Sequence, residues 1–228
     1  IREERMIDIA IKSASRPVYL RRTLRSLRKY LKAEDNSVYW ILHEDCIDPV
    51  VSEVCIYWSH RAGFFNQIRV SNPCIGNSES IRTLVGMSDS KYILHWEDDW
   101  ELLKEIDLDK VIDLMDRNDD VNMVGFRRGL NKPYGQAPEE TIRKEGKLVK
   151  CYDWVLFPAI WRREYIVDAF ELQFSIMEKN ADDIGKMIRM QHQTEAMGVY
   201  FWGGFGEGDF VEHIGDISTG VLREDRNG

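Results

Sequence analysis

Residues 91–100 read Lys91-Tyr-Ile-Leu-His-Trp-Glu-Asp-Asp-Trp100, an apolar run that ends abruptly in three carboxylates. Tyr92 to Trp96 has the composition of a buried strand. In open α/β sheets ligands sit beyond the carboxyl ends of strands, which is where Glu97, Asp98 and Asp99 would stand. Adjacent carboxylates repel one another unless a cation or a donor-rich ligand holds them. A hard divalent cation gripped together with a phosphate-bearing substrate resolves that repulsion. A solvated loop after a strand is the plainer alternative.

Upstream of this stretch, strand and helix alternate. Met6 to Ser13 alternates and then runs apolar, and Ser13-Ala-Ser-Arg-Pro17 supplies turn and capping chemistry. Val18 to Leu31 is amphipathic, with Leu20, Leu24, Leu27 and Leu31 at helical spacing. Val38 to His43 reads as a second strand ended by Glu44 and Asp45, Val50 to Ala62 as a helix, Phe65 to Val70 as a third strand and Ser78 to Gly86 as a further helix. This order predicts a mostly parallel sheet with crossover helices. The loops after the first, second and fourth strands then converge on one rim.

Downstream the pattern loosens. Val111 to Met115 reads as helix, Asn122 to Phe126 as a short strand, and Leu130 to Lys147 as a polar hairpin or loop. A helix is expected over about Ala181 to Met197 with Gly198 as its stop, then a strand over Val199 to Trp202 and a Gly-rich tip over Gly203 to Gly208. Tyr152, Trp154, Trp161, Phe201 and Trp202 read as core aromatics before they read as a stacking platform.

A chain of 228 residues with 43% hydrophobic content is expected to form one domain around a full core. Its 31 basic and 39 acidic residues give a net charge of −8, which disfavours a broad nucleic-acid or anionic-membrane surface and leaves room for a local basic groove. Arg16, Arg21, Arg22, Arg25, Arg28 and Lys29 form such a concentration, read first as a solvated helix face. Cys46, Cys55, Cys74 and Cys151 show neither zinc nor redox spacing, which points to a reducing compartment. No apolar run reaches the roughly 20 residues of a membrane helix, so a soluble, cytoplasmic protein is expected.

The order Ile9-Ala-Ile-Lys-Ser-Ala-Ser-Arg-Pro17, Tyr19-Leu20 and Thr23-Leu-Arg-Ser-Leu27, then Glu97-Asp-Asp99, then a late Val211-Glu-His-Ile-Gly215, resembles the nucleotide-sugar glycosyltransferases of the GT-A fold, close to glycosyltransferase family 2. The resemblance implies an α/β fold with a mostly parallel sheet flanked by helices. Residues 1–100 would be the nucleotide-sugar-binding half, ending in the acidic motif, and 101–228 the acceptor-binding and catalytic half of the same domain. It implies a UDP-sugar donor, an Mn²⁺ or Mg²⁺ ion that neutralises the diphosphate, and transfer of a hexose with inversion to a hydroxyl acceptor. Glycan, lipid, protein and a hydroxymethylated DNA base all stay open as acceptor, the last disfavoured by net charge.

On this resemblance Asp99 is the first metal ligand, and His213 returns late in the chain to complete the shell. Glu97 and Asp98 share the remaining duties, one towards ribose or sugar hydroxyls and one towards the metal. Ser13, Ala14, Ser15 and Arg16 match the nucleotide-binding loop, and Asp45 or Glu44 the acceptor of a hydrogen bond from the base; Asp45 reads equally as a turn cap. Asn77, Ser80 and Arg82 fall where the donor is contacted, although Arg82 also reads as a surface helix residue. The base that deprotonates the acceptor is sought in Asp183, Asp182 and then Glu178, the two Asp also fitting a helix first turn. The alternatives are a sugar-nucleotide-binding module without turnover and a sugar-phosphate nucleotidyltransferase. The latter calls for a Gly-rich loop that Ser13-Ala-Ser-Arg-Pro17 lacks.

Overall fold

The computed structural model describes residues 7–33, 38–126, 143–144, 148–150, 158–166, 198–203 and 210–215. Its first half runs β1 (Ile7–Ser13), α1 (Pro17–Tyr30), β2 (Leu31–Lys32), β3 (Val38–Asp45), α2 (Pro49–Ala62), β4 (Gln67–Ser71), α3 (Asn77–Met87) and β5 (Tyr92–Glu97). There follow β6 (Trp100–Leu102), β7 (Ile106–Asp107), α4 (Leu108–Asp116), β8 (Met123–Gly125), β9 (Arg143–Lys144), β10 (Leu148–Lys150), β11 (Ala159–Arg162), β12 (Val199–Trp202) and β13 (Val211–His213).

Nine strands form one sheet in the order β4-β3-β1-β5-β11-β8-β12-β10-β9. The first four are parallel to their neighbours, as the alternation predicts. Beyond β5 the directions mix: β11 is antiparallel to both β5 and β8, and β8 is parallel to β12. β13 pairs with β6 and β2 with β7 in two small sheets.

The pleat of β1 sorts its side chains to two cores. Ile7, Ile9 and Ile11 pack with Leu20, Leu24 and Leu27 of α1 and with Val111 and Ile112 of α4. Ala10 lies on the other side with Ile41, Ile93 and the α3 residues Ile81 and Leu84. The one polar residue on this strand's inner stretch, Asp8, is fully buried. Its carboxylate accepts from the hydroxyls of Ser88 and Ser90 and from the N–H groups of Asp89 and Ser90, fixing the approach to β5.

Local chemistry sets the helix ends. Pro17 and Pro49 occupy first-turn positions, where a missing N–H costs nothing. Asp48 caps α2 by accepting from the N–H groups of Val50 and Val51, and Asp107 caps α4 through Lys110. Before β12, Gly198 has φ +67°, and a Cβ there would stand 1.8 Å from the Asp120 carbonyl oxygen, so no other residue fits.

Two strand boundaries differ from the sequence reading for a physical reason. β3 continues through Glu44 and Asp45 because both find register partners, Val70 and Ser71, on β4. Phe65 lies ahead of β4 because Phe64 and Phe65 pack on Trp40, with ring centroids 4.3 and 6.2 Å away. Of the polar stretch 130–147, the structure describes β9, paired with β10. The expected helix over 181–197 and the tip over 204–208 lie outside the described residues.

Candidate functional site

The three central parallel strands end together, so register alone gathers the charged residues. Ser13 stands opposite Glu44, and Lys12 opposite Glu97. Asp98 then donates its N–H to the Lys12 carbonyl at 2.9 Å, which seats the acidic turn beside the loop that leaves β1. Five carboxylates, Glu44, Asp45, Glu97, Asp98 and Asp99, meet two cations, Lys12 and Arg16, along this rim.

The repulsion within the acidic triplet has an answer inside the protein. Arg16 lays its guanidinium across Asp98 and Asp99, bonding Asp98 through Nε (3.2 Å) and Nη2 and Asp99 through Nη1 (2.5 Å). Lys12 Nζ lies 3.3 Å from Glu97 Oε1. Burial would strip Arg16 of its charge, but the two aspartates outweigh it and hold its pKa above the ordinary value. Asp98, fully buried, also accepts from the Ala14 N–H at 3.1 Å. Burial pushes its carboxyl up to about 6 against the pull of Arg16. Its geometry is that of a staple for the β1–α1 loop.

The acids at the end of β3 are also turned inward. Glu44 Oε1 accepts from the Ser15 N–H at 2.7 Å and the Ser52 hydroxyl at 2.8 Å, and Glu44 is wholly buried. Ser15 adopts φ +53°, the left-handed region, and its Oγ receives the N–H groups of Ile47 (3.0 Å) and Asp48 (3.1 Å). Asp45 accepts from the Ile75 N–H (2.7 Å), the Gly76 N–H (2.9 Å) and Cys74 Sγ (3.1 Å). Burial raises the Asp45 pKa, and these donors together more than reverse it, leaving the carboxyl below its usual range. Asp45 therefore fastens the loop that leads into α3, close to the cap that its sequence context allows.

Asp99 is arranged differently. Its Oδ2 receives Arg16 and stands 3.3 Å from His213 Nε2, while its Oδ1 is buried with no hydrogen-bond partner. Antiparallel pairing of β13 with β6 places His213 opposite Trp100, and the two rings lie 4.8 Å apart. The Ile214 N–H closes the approach on the Asp99 carbonyl at 2.8 Å. A Cβ on Gly215 would fall 2.5 Å from Asp99 Oδ2, so the glycine lets this segment close on the acid. Among the described residues no three His, Cys, Asp or Glu side chains converge on one metal position. Asp99 and His213 nevertheless fit a divalent ion of the kind that takes one or two protein ligands and fills its shell with substrate phosphate oxygens and water. Glu44 Oε2 is likewise buried without a partner, and what singles out Asp99 is His213 on the same carboxylate as the unpartnered Oδ1.

The remaining expected residues scatter. Asn77 opens α3 and is exposed, as is Arg82, which pairs with Glu79 one turn earlier at 2.9 Å. Trp161 is core, stacked on His95 with centroids 4.9 Å apart, and Phe201 is buried. Asp183, Asp182, Glu178, Tyr152 and Trp154 lie outside the described residues. Thr23 and Ser26 are the positioning residues that motif reading passes over. Thr23 Oγ1 lies 2.7 Å from the Asp98 carbonyl oxygen and 3.0 Å from that of Trp100, and Ser26 Oγ accepts from the Leu102 N–H. Their signal is two small polar residues on the leucine face of α1.

Comparison with known proteins gives the fold a context. No protein-family model matches the sequence, and no curated protein does. Solved structures match in shape. The S. aureus TarS fragment in complex with UDP aligns with a TM-score of 0.58 at 14% identity, over 90% of this chain and 59% of that one. Its complex with UDP-GlcNAc gives 0.57 and 13%, over 92% and 60%. The mannosyltransferase PcManGT from Pyrobaculum calidifontis, in complex with GDP-Man and Mn²⁺, gives 0.54 and 7%, over 73% and 47%. The fold is GT-A-like. The chain spans about half to three-fifths of the length of these structures, and 36% of the longer TarS chain. In this GT-A-like frame, no helix among the described residues is long and apolar enough to cross a membrane.

Proposed function

We propose that this chain forms the donor-binding and catalytic domain of a metal-dependent glycosyltransferase that moves a hexose from a UDP-linked sugar to a hydroxyl acceptor with inversion. The observation that carries the reading is the pairing of Asp99 with His213 at the sheet rim, with Asp99 Oδ1 unpartnered. The complexes of GT-A-like neighbours with UDP-GlcNAc and with GDP-Man and Mn²⁺ support it.

Asp99 and His213 would hold Mn²⁺ or Mg²⁺, whose chemistry there is to neutralise the diphosphate as it leaves. Arg16, pinned by Asp98, fixes the orientation of Asp99. Glu97, held by Lys12 and partly exposed, offers its carboxylate to sugar or ribose hydroxyls. The acceptor proton passes to a carboxylate among Asp183, Asp182 and Glu178 as the hydroxyl attacks the anomeric carbon.

A second reading, a sugar-nucleotide-binding module without turnover, draws on the inward engagement of Glu44, Asp45 and Asp98. Hydrolysis of UDP-sugars with Mn²⁺, measured alongside donor binding, separates the two. Turnover that falls about 100-fold in Asp183→Asn, Asp182→Asn or Glu178→Gln with donor affinity kept is the expected result for the enzyme. Donor binding with no hydrolysis and no transfer to any hydroxyl acceptor would leave the module.

A further inference from the structure

The arginines that the sequence gathers into one concentration part company in the fold. Arg16 turns into the rim, and Arg22 pairs with Glu101 at 2.8 Å. Arg21, Arg25 and Arg28, at i, i+4 and i+7, instead share one side of α1. They meet Arg61, from the last turn of α2, around a cleft of about 190 Å³. None of these four makes an ion pair among the described residues, although acidic residues outnumber basic ones 39 to 31 in the chain. Arg28 and Arg61 complement the carboxyl ends of their helices. Arg21 and Arg25, further back along α1, have no such reason to be there, and like charges one turn apart repel.

Two aromatic residues share the lining with the charges. Trp58 and Phe64 line the cleft, both partly exposed. The Arg21 guanidinium lies over the Trp58 ring, 4.2 Å from its centroid, and its Nε is buried without a hydrogen-bond partner. A guanidinium stacked on a ring keeps its edge donors in a fixed fork, the geometry that suits phosphate. The cleft is smaller than the roughly 300–1,000 Å³ of sites that enclose a whole drug-sized ligand. It has room for a phosphoryl group and one ring or short apolar chain, and not for a complete sugar nucleotide.

We propose that the α1–α2 cleft is a second site, for an organic phosphate ester. Arg25, Arg28 and Arg61 hold the phosphoryl oxygens, and Trp58 and Phe64 take the carbon portion. None of the rim carboxylates lines it. The test is titration of the full chain with phenyl phosphate and with inorganic phosphate, reading the Trp58 indole N–H by NMR, with the signal assigned through Trp58→Phe. Co-sedimentation with phosphatidylcholine vesicles, with and without phosphatidylglycerol, is the second arm.

Phenyl phosphate is expected to shift the indole signal and to bind more tightly than inorganic phosphate. The exposed pair Arg25→Ala and Arg28→Ala together should weaken binding at least tenfold, with the fold intact by circular dichroism. Asp99→Ala should leave it unchanged. Stronger capture by phosphatidylglycerol vesicles than by the soluble ester would assign the phosphate to a lipid headgroup, and the reverse to a soluble metabolite; either supports the site. Three outcomes overturn it. They are no response to any of the probes, an equal response in the double arginine variant, and a response lost in Asp99→Ala, which would place the phosphate at the rim.

Discussion

Along the β1–β3 side of the rim the acids hold the loops of the protein, whereas at the junction of β5 and β13 one acid stands against an imidazole. Asp45 spends both oxygens on the loop before α3, and Glu44 gives Oε1 to Ser15 and Ser52 while its Oε2 is buried without a partner. Asp98 spends its oxygens on Ala14 and Arg16. Asp99, the next residue, keeps Oδ1 unpartnered and stands against His213. The difference teaches that a run of carboxylates is not one functional unit. Strand register and the turn that follows decide which member meets Ala14 and Arg16 and which stands against His213.

The largest expected effect tests this division directly. Asp98→Ala leaves the Ala14 N–H without its acceptor and Arg16 with Asp99 alone, and should cost about 2–3 kcal/mol in urea unfolding. Asp99→Asn should cost less than about 1 kcal/mol, because Arg16 keeps Asp98 and one negative charge leaves a crowded site. Equal losses in the two variants would erase the distinction between them.

A pH experiment sharpens the contrast between rim and core. His95 is buried against Trp161, and burial lowers its pKa to about 4. The unfolded chain therefore binds this proton more readily, so the stability is present above pH 6.5 and lost as pH falls towards 4. The full loss is about 3 kcal/mol. In His95→Phe this loss should vanish, leaving a flatter profile. Asp98, raised to about 6, acts in the opposite sense in both proteins and cancels in the difference. A wild type and variant that lose stability in parallel between pH 6.5 and 4 would contradict a neutral core imidazole.

A smaller effect is expected at His213. Removing one imidazole from a shell completed by phosphate and water should weaken Mn²⁺-dependent UDP binding about tenfold in His213→Ala. Calorimetric titration of UDP with and without Mn²⁺ checks it. Unchanged UDP affinity, with thermal stability lost equally with and without Mn²⁺, would place His213 in a packing role.

Much of this architecture is written in local pattern. The buried run Tyr92–Trp96, the leucine spacing of α1 and Pro17 at its first turn locate the parallel half of the sheet and the rim where its loops meet. The return of Val211–Gly215 to the acidic turn comes from the family resemblance and not from local pattern; in the structure His213 and Gly215 both close on Asp99. Less visible is which charge answers which. Arg16 reads as one of six clustered basic residues and, on the family resemblance, as part of the nucleotide-binding loop; only its place at the head of α1, beside the end of β5, makes it the counterion of Asp98 and Asp99. Asp45 finds its donors some 30 residues away, across a turn that no periodicity announces. The mixed half of the sheet is opaque for a similar reason, because β11 and β8 are short and their direction is set by pairing partners distant in sequence.

On the proposed function, Asp99, and not its neighbours, presents the carboxylate on which the Mn²⁺-dependent part of donor binding rests. That role is tested most directly by measuring UDP binding to wild type and to Asp99→Ala with and without Mn²⁺. Mn²⁺ is expected to tighten binding in the wild type and to have no effect in the variant, while both unfold at similar temperatures without metal. Wild-type Mn²⁺-dependent affinity in Asp99→Ala would contradict it.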